Sequence, residues 1–454
     1  MRQWRTLGGA VLVALAGLGT AGRAAAQDSH YWSNQYGTRA ELLGGNVVGS
    51  INDLSCTYYN PGAMSLVDNP EFVVTTDAFQ TESFRAQGEL AGETKLTALE
   101  TSKAPSMFAV RVGIEALGSK GIAFSAVTRH DFRVKLEGRE IGSAGGAGGA
   151  GGVSTEYGTE RKLFEQWFGT TFARRIERFG VGVSLFGVYR SQSGRTQTLT
   201  AIVGGGNGVS GIAVDDFRYW HMRLLAKVGV SWDWEDFTFG VTGTTPGLAL
   251  FGSGSRLRTL SDTNVDDGSG GTTSLLASDY QGGLDVAYRS RASIALGGSW
   301  RVRGGTRLHA TWEVFARADE YRVLETSPFT PQTGGPAVPM TVVDRGKSVW
   351  NVGLGIEHEV DEDLSFYGGV WTDHSFYEPA QVLQLASTTW DILHVTGGAN
   401  FRFRQVRFTV GVGGAWGSDE VTPGTDSGGV ATRSQPIEVR YVKLKGILGL
   451  SFEV

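Results

Sequence analysis

Cysteine is nearly absent: Cys56 stands alone in 454 residues, so no internal disulfide can form. Leu54-Ser55-Cys56 has the look of a lipoprotein processing site but lies far inside the chain, and Cys56 reads as a buried free thiol. Long apolar runs are missing too. The stretch from Val11 to Leu18 is too short and too rich in Gly and Ala for a spanning helix, and nothing later supplies the ~20 apolar residues one needs. If this chain enters a bilayer, it enters as sheet. There is no basic surplus either: the formal charge is -5, falling to about -8 once Arg2, Arg5 and Arg23 are removed, which sets nucleic acid aside as a partner.

What is present begins with a basic start, the short apolar stretch and Ala24-Ala25-Ala26 before Gln27, which together predict a secretory signal peptide over residues 1–26. The chain carries 67 glycines, an excess that favours sheet, because Gly permits bulges and close backbone approach and leaves room inside a barrel. Six very short connections recur, at 117–121, 176–180, 234–237, 302–306, 360–364 and 404–407. Long polar ones alternate with them, at roughly 83–103, 137–160, 190–215, 254–281, 322–347, 377–389 and 417–436. The segments between them alternate apolar and polar residues. This rhythm predicts an all-β fold: a transmembrane antiparallel β-barrel of about 14 strands, with both chain termini on the short-turn, periplasmic side.

The two faces follow from the period of two. Over 220–234, Trp220, Met222, Leu224, Ala226, Val228, Val230, Trp232 and Trp234 are expected in lipid, and His221, Arg223, Lys227, Ser231 and Asp233 in the lumen. Over 307–317, Leu308, Ala310, Trp312, Val314 and Ala316 take the lipid face. Over 284–296 that face is Leu284, Val286, Tyr288, Ala292, Ile294 and Leu296, opposite Asp285, Arg289, Arg291 and Ser293. The last strand sets Val442, Leu444, Leu448, Leu450 and Phe452 against Tyr441, Lys443, Lys445 and Ser451. Interfacial girdles are expected from Trp220, Trp350, Trp390 and Trp416 at the loop ends, and from Trp232, Trp234 and Trp300 at the turn ends. A soluble all-β repeat protein would instead bury those rings in a core.

Residues 27–69 lack a sustained alternating strand and precede the barrel, assigned to 70–454. They are long enough to fold into the lumen as an N-terminal hatch or plug. Their core contains Tyr58-Tyr59-Asn60-Pro61-Gly62-Ala63-Met64-Ser65-Leu66. With this motif, the signal peptide and the strand count, the chain resembles the FadL/TodX-type outer-membrane transporters of long-chain fatty acids and aromatic hydrocarbons over its whole processed length. The tract Gly240-Val241-Thr242-Gly243-Thr244-Thr245-Pro246 is similar to that family's G-x-x-Y-x-S-P strand, with Gly243 and Thr245 in place of Tyr and Ser.

The resemblance implies passive uptake of a hydrophobic small molecule, with fatty acids as the default substrate. Capture is in an external groove, gating is by a hatch movement at Asn60, Pro61 and Gly62, and release is sideways through the barrel wall. Gly62 replaces the family's usual Ala, from which a looser hatch turn is expected. A wall opening at a kinked third strand is also implied. Here that strand is read as 121–136, with the lipid-facing set Ile122, Phe124, Ala126, Phe132, Val134 and Leu136 interrupted by Thr128 and His130, the candidate kink. The plainer reading puts His130 above the membrane.

Other constellations carry less. Gly206-Asn207-Gly208-Val209-Ser210-Gly211 fits G-x-G-x-x-G without a following helix to hold pyrophosphate. Asp262 to Gly268 resembles a calcium loop, but Asp267 takes the place of the required Gly and Thr273 that of the bidentate Glu, so no metal is expected. Arg289, Arg291, Arg307 and Arg317 are inward candidates for a substrate carboxylate, or else partners of Asp285, Glu313 and Asp319. His221, His309 and His394 have no local nucleophile and acid, and Asp373-His374 reads as a solvated loop edge, so neither an enzyme nor a cofactor is expected. The expected setting is a Gram-negative-type outer membrane, with lipid and lipopolysaccharide as surroundings. Two alternatives stay open: a non-transporting scaffold barrel that binds partner proteins through its loops, and a polar-solute porin.

Overall fold

A computed structural model describes residues 29–50, 53–67, 71–89, 93–102, 105–112, 122–143, 152–203, 209–266, 271–377, 390–421 and 437–453. The expected signal peptide, the 117–121 turn and residues 206–208 of the glycine motif lie outside them. The strands are β1 (Glu71–Glu89), β2 (Glu93–Ser102), β3 (Pro105–Val112), β4 (Ile122–Ser143), β5 (Gly152–Ile176), β6 (Phe179–Val203), β7 (Val209–Trp234), β8 (Phe237–Thr244), β9 (Leu248–Asp266) and β10 (Thr272–Leu284). They continue as β11 (Ser293–Val302), β12 (Thr306–Phe315), β13 (Ala318–Leu324), β14 (Val342–Gly346), β15 (Val349–Glu359), β16 (Leu364–Asp373), β17 (Ile392–Phe403), β18 (Val406–Val421) and β19 (Ile437–Glu453).

The sheet closes because β1 is paired on both edges: Phe72 lies opposite Val110 of β3 and opposite Phe452 of β19. The result is a closed antiparallel barrel of 16 strands with three more outside it, not the about 14 expected. The count rises where the chain breaks. The expected strand after Trp234 stops at Thr244 and restarts at Leu248, across Pro246, which has no N–H to give a ladder. The next stops at Leu284 and restarts at Ser293. The β13 and β14 strands form a separate ribbon.

The short connections are tight hairpins. Glu177, Glu235 and Arg404 each take a positive φ (54°, 55° and 58°) in the two-residue turns that join β5 to β6, β7 to β8 and β17 to β18. Several expected long loops are instead strand. The β5, β6 and β7 strands run 25, 25 and 26 residues, against the ~10 that cross a bilayer, so their hairpins project far beyond it.

Face alternation holds along β7, β12 and β19, where the expected lipid-facing residues point out and His221, Arg223, Lys227, Ser231, His309, Lys443 and Lys445 are buried. Between β10 and β11 it fails. Val286 and Tyr288 are buried while Asp285 and Arg289 are exposed, because the segment leaves the sheet and bonds to the ribbon, Ala287 N–H donating to Val323 O at 3.0 Å. The turn-end girdle is a run of stacked rings: Phe179 on Trp232 (5.6 Å), Trp232 on Trp234 (5.5 Å) and Phe237 on Trp300 (5.9 Å). Trp220, Trp350 and Trp416 face outward at the other end, but Trp390 is buried against Tyr441 and does not join them. No helix among the described residues is long and apolar enough to cross a membrane. The barrel fold fits a Gram-negative-type outer membrane.

Candidate functional site

The lumen is filled by the chain's own N-terminal segment, residues 29–50 and 53–67. It includes short helices α1 (Thr38–Leu42) and α2 (Cys56–Tyr59) and a 3-10 turn over Pro61–Leu66. A polar segment in a closed barrel must satisfy its backbone with lumen side chains, and the wall supplies them. Ser184 donates to Thr57 O (2.7 Å), Thr242 to Tyr59 O (2.9 Å) and Thr396 to Leu42 O (2.9 Å). Lys445 pairs with Glu41 at 2.6 Å, Arg39 with Glu357, and Ser50 hydrogen-bonds His309 at 2.6 Å. Asp373, expected at a solvated loop edge, is instead fully buried. It accepts from Tyr31 N–H (3.1 Å), Trp32 N–H (2.9 Å) and Ser33 Oγ (2.9 Å).

The Asn60-Pro61-Gly62 turn is seated on β6, β7 and β8. The Asn60 amide donates to Val48 O (2.8 Å), Val230 O (3.0 Å) and Ser231 Oγ (2.9 Å), while its carbonyl accepts Gly62 N–H (3.1 Å). The expected looseness at Gly62 is not what its surroundings call for. A Cβ there would stand 2.6 Å from both Gly180 O and Gly229 O, so glycine is what lets the turn touch the wall. Cys56 is buried in α2 and forms no disulfide.

Above this turn is a small chamber of about 40 Å³ bounded by Tyr31, Tyr58, Arg129, Glu165, Trp167, Arg223, Lys227, Tyr288, Ser290 and Glu313. That is room for one or two waters. The ribbon of β13 and β14 covers it, with Tyr321, Val323, Leu324 and Val342 packed on Phe217, Tyr219 and Tyr288. Cations outnumber carboxylates. Glu165 is held by Arg190 and Arg223, both at 2.8 Å. Arg129 donates to Tyr58 OH at 2.7 Å and lies 5.6 Å from the Trp167 ring. Lys227 lies over the Tyr58 ring at 4.1 Å with no carboxylate of the described residues in ion-pair range, and the Arg223 Nη1 is buried without an acceptor. Lys227, Arg223 and Arg291 thus all line one small space, where the Arg223 Nη1 and Arg291 Nη2 are desolvated donors without acceptors.

The chamber abuts a break in the wall. Pairing of β8 with β11 ends at Thr244 opposite Ser293, and pairing of β9 with β10 begins at Gly254 opposite Leu284. No ladder joins 245–253 to 285–292 across this seam. Its level on β7 runs from Lys227, opposite Thr244, to Trp220, opposite Ser253, so it lies below the outer girdle. Unpaired backbone at that depth is costly unless covered by protein. Leu248, Leu250 and Phe251 line its outer side, and inside it is bridged by a hydrogen bond from Arg223 Nε to Ser290 Oγ.

Of the sequence-predicted residues, His130 and Arg291 line this chamber and the others lie elsewhere. Thr128 and His130 flank a register shift in the β4–β5 ladder, but both are buried and neither faces lipid. Beyond the shift the faces exchange, so that Val134 is buried while Arg133 and Lys135 are exposed, and the expected lipid set holds only through Ala126. Arg289 and Arg317 are exposed, the latter paired with Asp319. Arg291 donates to Gly346 O at 3.0 Å, and Arg307 lines a separate polar vestibule of about 310 Å³ beside Arg39 and Glu357. The four arginines therefore do not converge. His221, His309 and His394 have different surroundings: His309 bonds Ser50 and Glu357, and His394 stacks on Trp371. Asp262 to Asp266 are strand, not loop, and residues 267–270 lie outside the described ones.

No protein-family model and no curated protein matches the sequence. Solved structures do match in fold. The Pseudomonas putida toluene transporter TodX superposes with a TM-score of 0.58 at 13% identity, covering 94% of this chain and 100% of that one. A Pseudomonas aeruginosa FadL homologue gives 0.62 at 13% identity, covering 93% and 99%, and the Ralstonia pickettii toluene transporter TbuX gives 0.54 at 12%, covering 92% and 98%. The chain therefore has the fold of FadL/TodX-type outer-membrane hydrophobic-substrate channels.

Proposed function

We propose that this barrel is an outer-membrane channel for passive uptake of hydrophobic small molecules, and that its substrates are amphipathic acids of the long-chain fatty acid type. The observation that carries the reading is the closed chamber. It lies between the lumen segment and the ribbon, has aromatic rings in its walls, and holds Lys227 with no carboxylate of the described residues in ion-pair range and the Arg223 Nη1 without an acceptor. An acyl tail is compatible with such rings, and its carboxylate with those donors. Since about 40 Å³ does not admit an acyl chain, transport requires movement. Residues 27–69 act as the hatch, with Asn60, Pro61 and Gly62 as its latch. Lateral release then runs through the seam beside Ser290, while the register shift at Thr128 and His130 positions Arg129 over the chamber.

The test is uptake of labelled oleate by cells whose own fatty acid channel is deleted, with and without this protein. It is paired with planar-bilayer conductance of the purified barrel before and after removal of residues 27–69. Saturable oleate uptake, with a silent intact barrel that conducts once truncated, supports the reading. An intact barrel that already conducts ions is a polar-solute porin, and no uptake together with a stoichiometric co-purifying protein is a scaffold.

A further inference from the structure

The outer wall carries a second concavity, separate from the lumen. Strand parity places it: Arg190, Gln192, Tyr219 and Arg223 are buried inward, so Tyr189, Ser191, Ser193 and Arg195 of β6 and Arg218 and Trp220 of β7 project from the barrel. Together with residues of β5, β9 and β10 they enclose a recess of about 670 Å³. It is concave because its floor is small: Ser191, Ser193, Ser253 and Ser255 turn their side chains outward where bulkier residues would fill it.

Its height is equally well defined. Trp220, in edge contact with Phe251 at 5.9 Å, belongs to the outer girdle. Below it the outward residues of the same strands are Leu224, Val228 and Leu185, all exposed and apolar. Above it they are Arg195 and Arg218, with Lys162 beside them on β5. The recess therefore spans the plane where acyl chains give way to head groups.

Its chemistry excludes an acyl chain, which gains nothing from a serine floor. Three cations face two carboxylates. Glu160 is shared by Lys162 (2.8 Å) and Arg133 (3.1 Å), Asp216 reaches Arg218 only at 3.5 Å, and Arg195 donates to the neutral Gln197. Arginines with spare donors suit phosphate, the hydroxyl floor suits sugar hydroxyls, and the exposed rings of Trp220 and Tyr280 offer faces to a pyranose.

We propose that this recess is a binding site for the phosphorylated saccharide head group of an outer-leaflet glycolipid, that is, lipid A of lipopolysaccharide. The acyl chains lie down over Leu224, Val228 and Leu185. The site is independent of transport and places a bound glycolipid next to β9, whose Leu248 and Phe251 edge the seam.

The test uses the full-length barrel in detergent, titrated with bis-phosphorylated lipid A, with its dephosphorylated form and with phosphatidylglycerol, and read by native mass spectrometry. Arg195→Glu/Arg218→Glu is compared with wild type, and heat-modifiable gel migration checks that both are folded. One lipid A should be retained, about tenfold more weakly in the variant and after dephosphorylation, with phosphatidylglycerol weaker still. Equal retention by the folded variant overturns the site. Equal retention of phosphatidylglycerol overturns the saccharide specificity and leaves a generic anionic-lipid surface.

Discussion

Replacing Asn60 with Ala should unlatch the lumen segment without unfolding the barrel. Asn60 spends two N–H groups on three acceptors, and two of these, Val230 O at 3.0 Å and Ser231 Oγ at 2.9 Å, belong to the wall. A net ~0.5–1.5 kcal/mol per hydrogen bond gives a loss of about 1–3 kcal/mol in docking. At tenfold per ~1.4 kcal/mol, the open-to-closed ratio rises roughly 5- to 150-fold. The closed sheet, with its own ladders from β1 to β19, does not depend on this contact. Planar-bilayer recordings should then show transient openings in Asn60→Ala that are rare in wild type. Asn60→Asp should open more often still, because a carboxylate would face Val48 O and Val230 O. A barrel that conducts after removal of residues 27–69 but stays silent as Asn60→Ala would refute the latch while leaving the plug intact.

Other expectations follow from the same geometry. Gly62→Ala restores the residue usual in the resembling family but drives a methyl to 2.6 Å from two carbonyls; it should cost ~1–3 kcal/mol, read as a lower urea midpoint or spontaneous conductance, and wild-type behaviour in both assays would contradict it. A Gly247→Cys/Ser290→Cys pair should form a disulfide across the seam, since a Cβ at 247 stands 3.1 Å from Ser290 Oγ. Oxidation should then block oleate uptake and reductant restore it, and unaffected uptake in the cross-linked barrel rules out release by that path. Glu165→Gln leaves Arg190 and Arg223 buried without their anion and should destabilise the barrel by ~3–5 kcal/mol in urea titrations. Burial holds Asp344, which accepts from Tyr321 OH at 2.8 Å, above the usual carboxylate range. Its folded form binds the proton more tightly than the unfolded one, so the ribbon is firmest below the unfolded carboxylate pKa and has lost that contribution once pH has risen through the folded one. Proteolysis within 325–341 should quicken with pH in wild type and lose that dependence in Asp344→Asn.

Much of the architecture was legible because a lipid-facing wall imposes a period of two. Trp220 to Trp234 could be assigned to faces residue by residue, and the two-residue turn at Glu235 was readable from the polar break between Trp234 and Phe237. The pattern failed where backbone leaves the sheet. Nothing in 285–292 announces that Val286 and Tyr288 turn inward to meet the ribbon, because alternation continues in the sequence while the partner changes in space. Thr128 and His130, expected on the lipid face, are buried, because a register shift between them exchanges the faces and leaves no mark on composition. The chamber was half visible. Arg223 and Lys227 were read as inward, but that Glu165 takes only one side of Arg223 while Lys227 meets a ring and no carboxylate depends on which rings and acids the lumen segment and distant strands bring near. Asp373 was missed for the same reason: its partners, Tyr31, Trp32 and Ser33, are some 340 positions away.

The most direct measurement of the central claim is uptake of oleate and of uncharged oleyl alcohol, side by side, by wild type and Lys227→Met. The account predicts that the substitution slows oleate about tenfold, the worth of one charge-assisted contact, and leaves oleyl alcohol unchanged. Equal rates for oleate in both proteins would contradict it, because the chamber above the lumen segment would then not be where the acid passes.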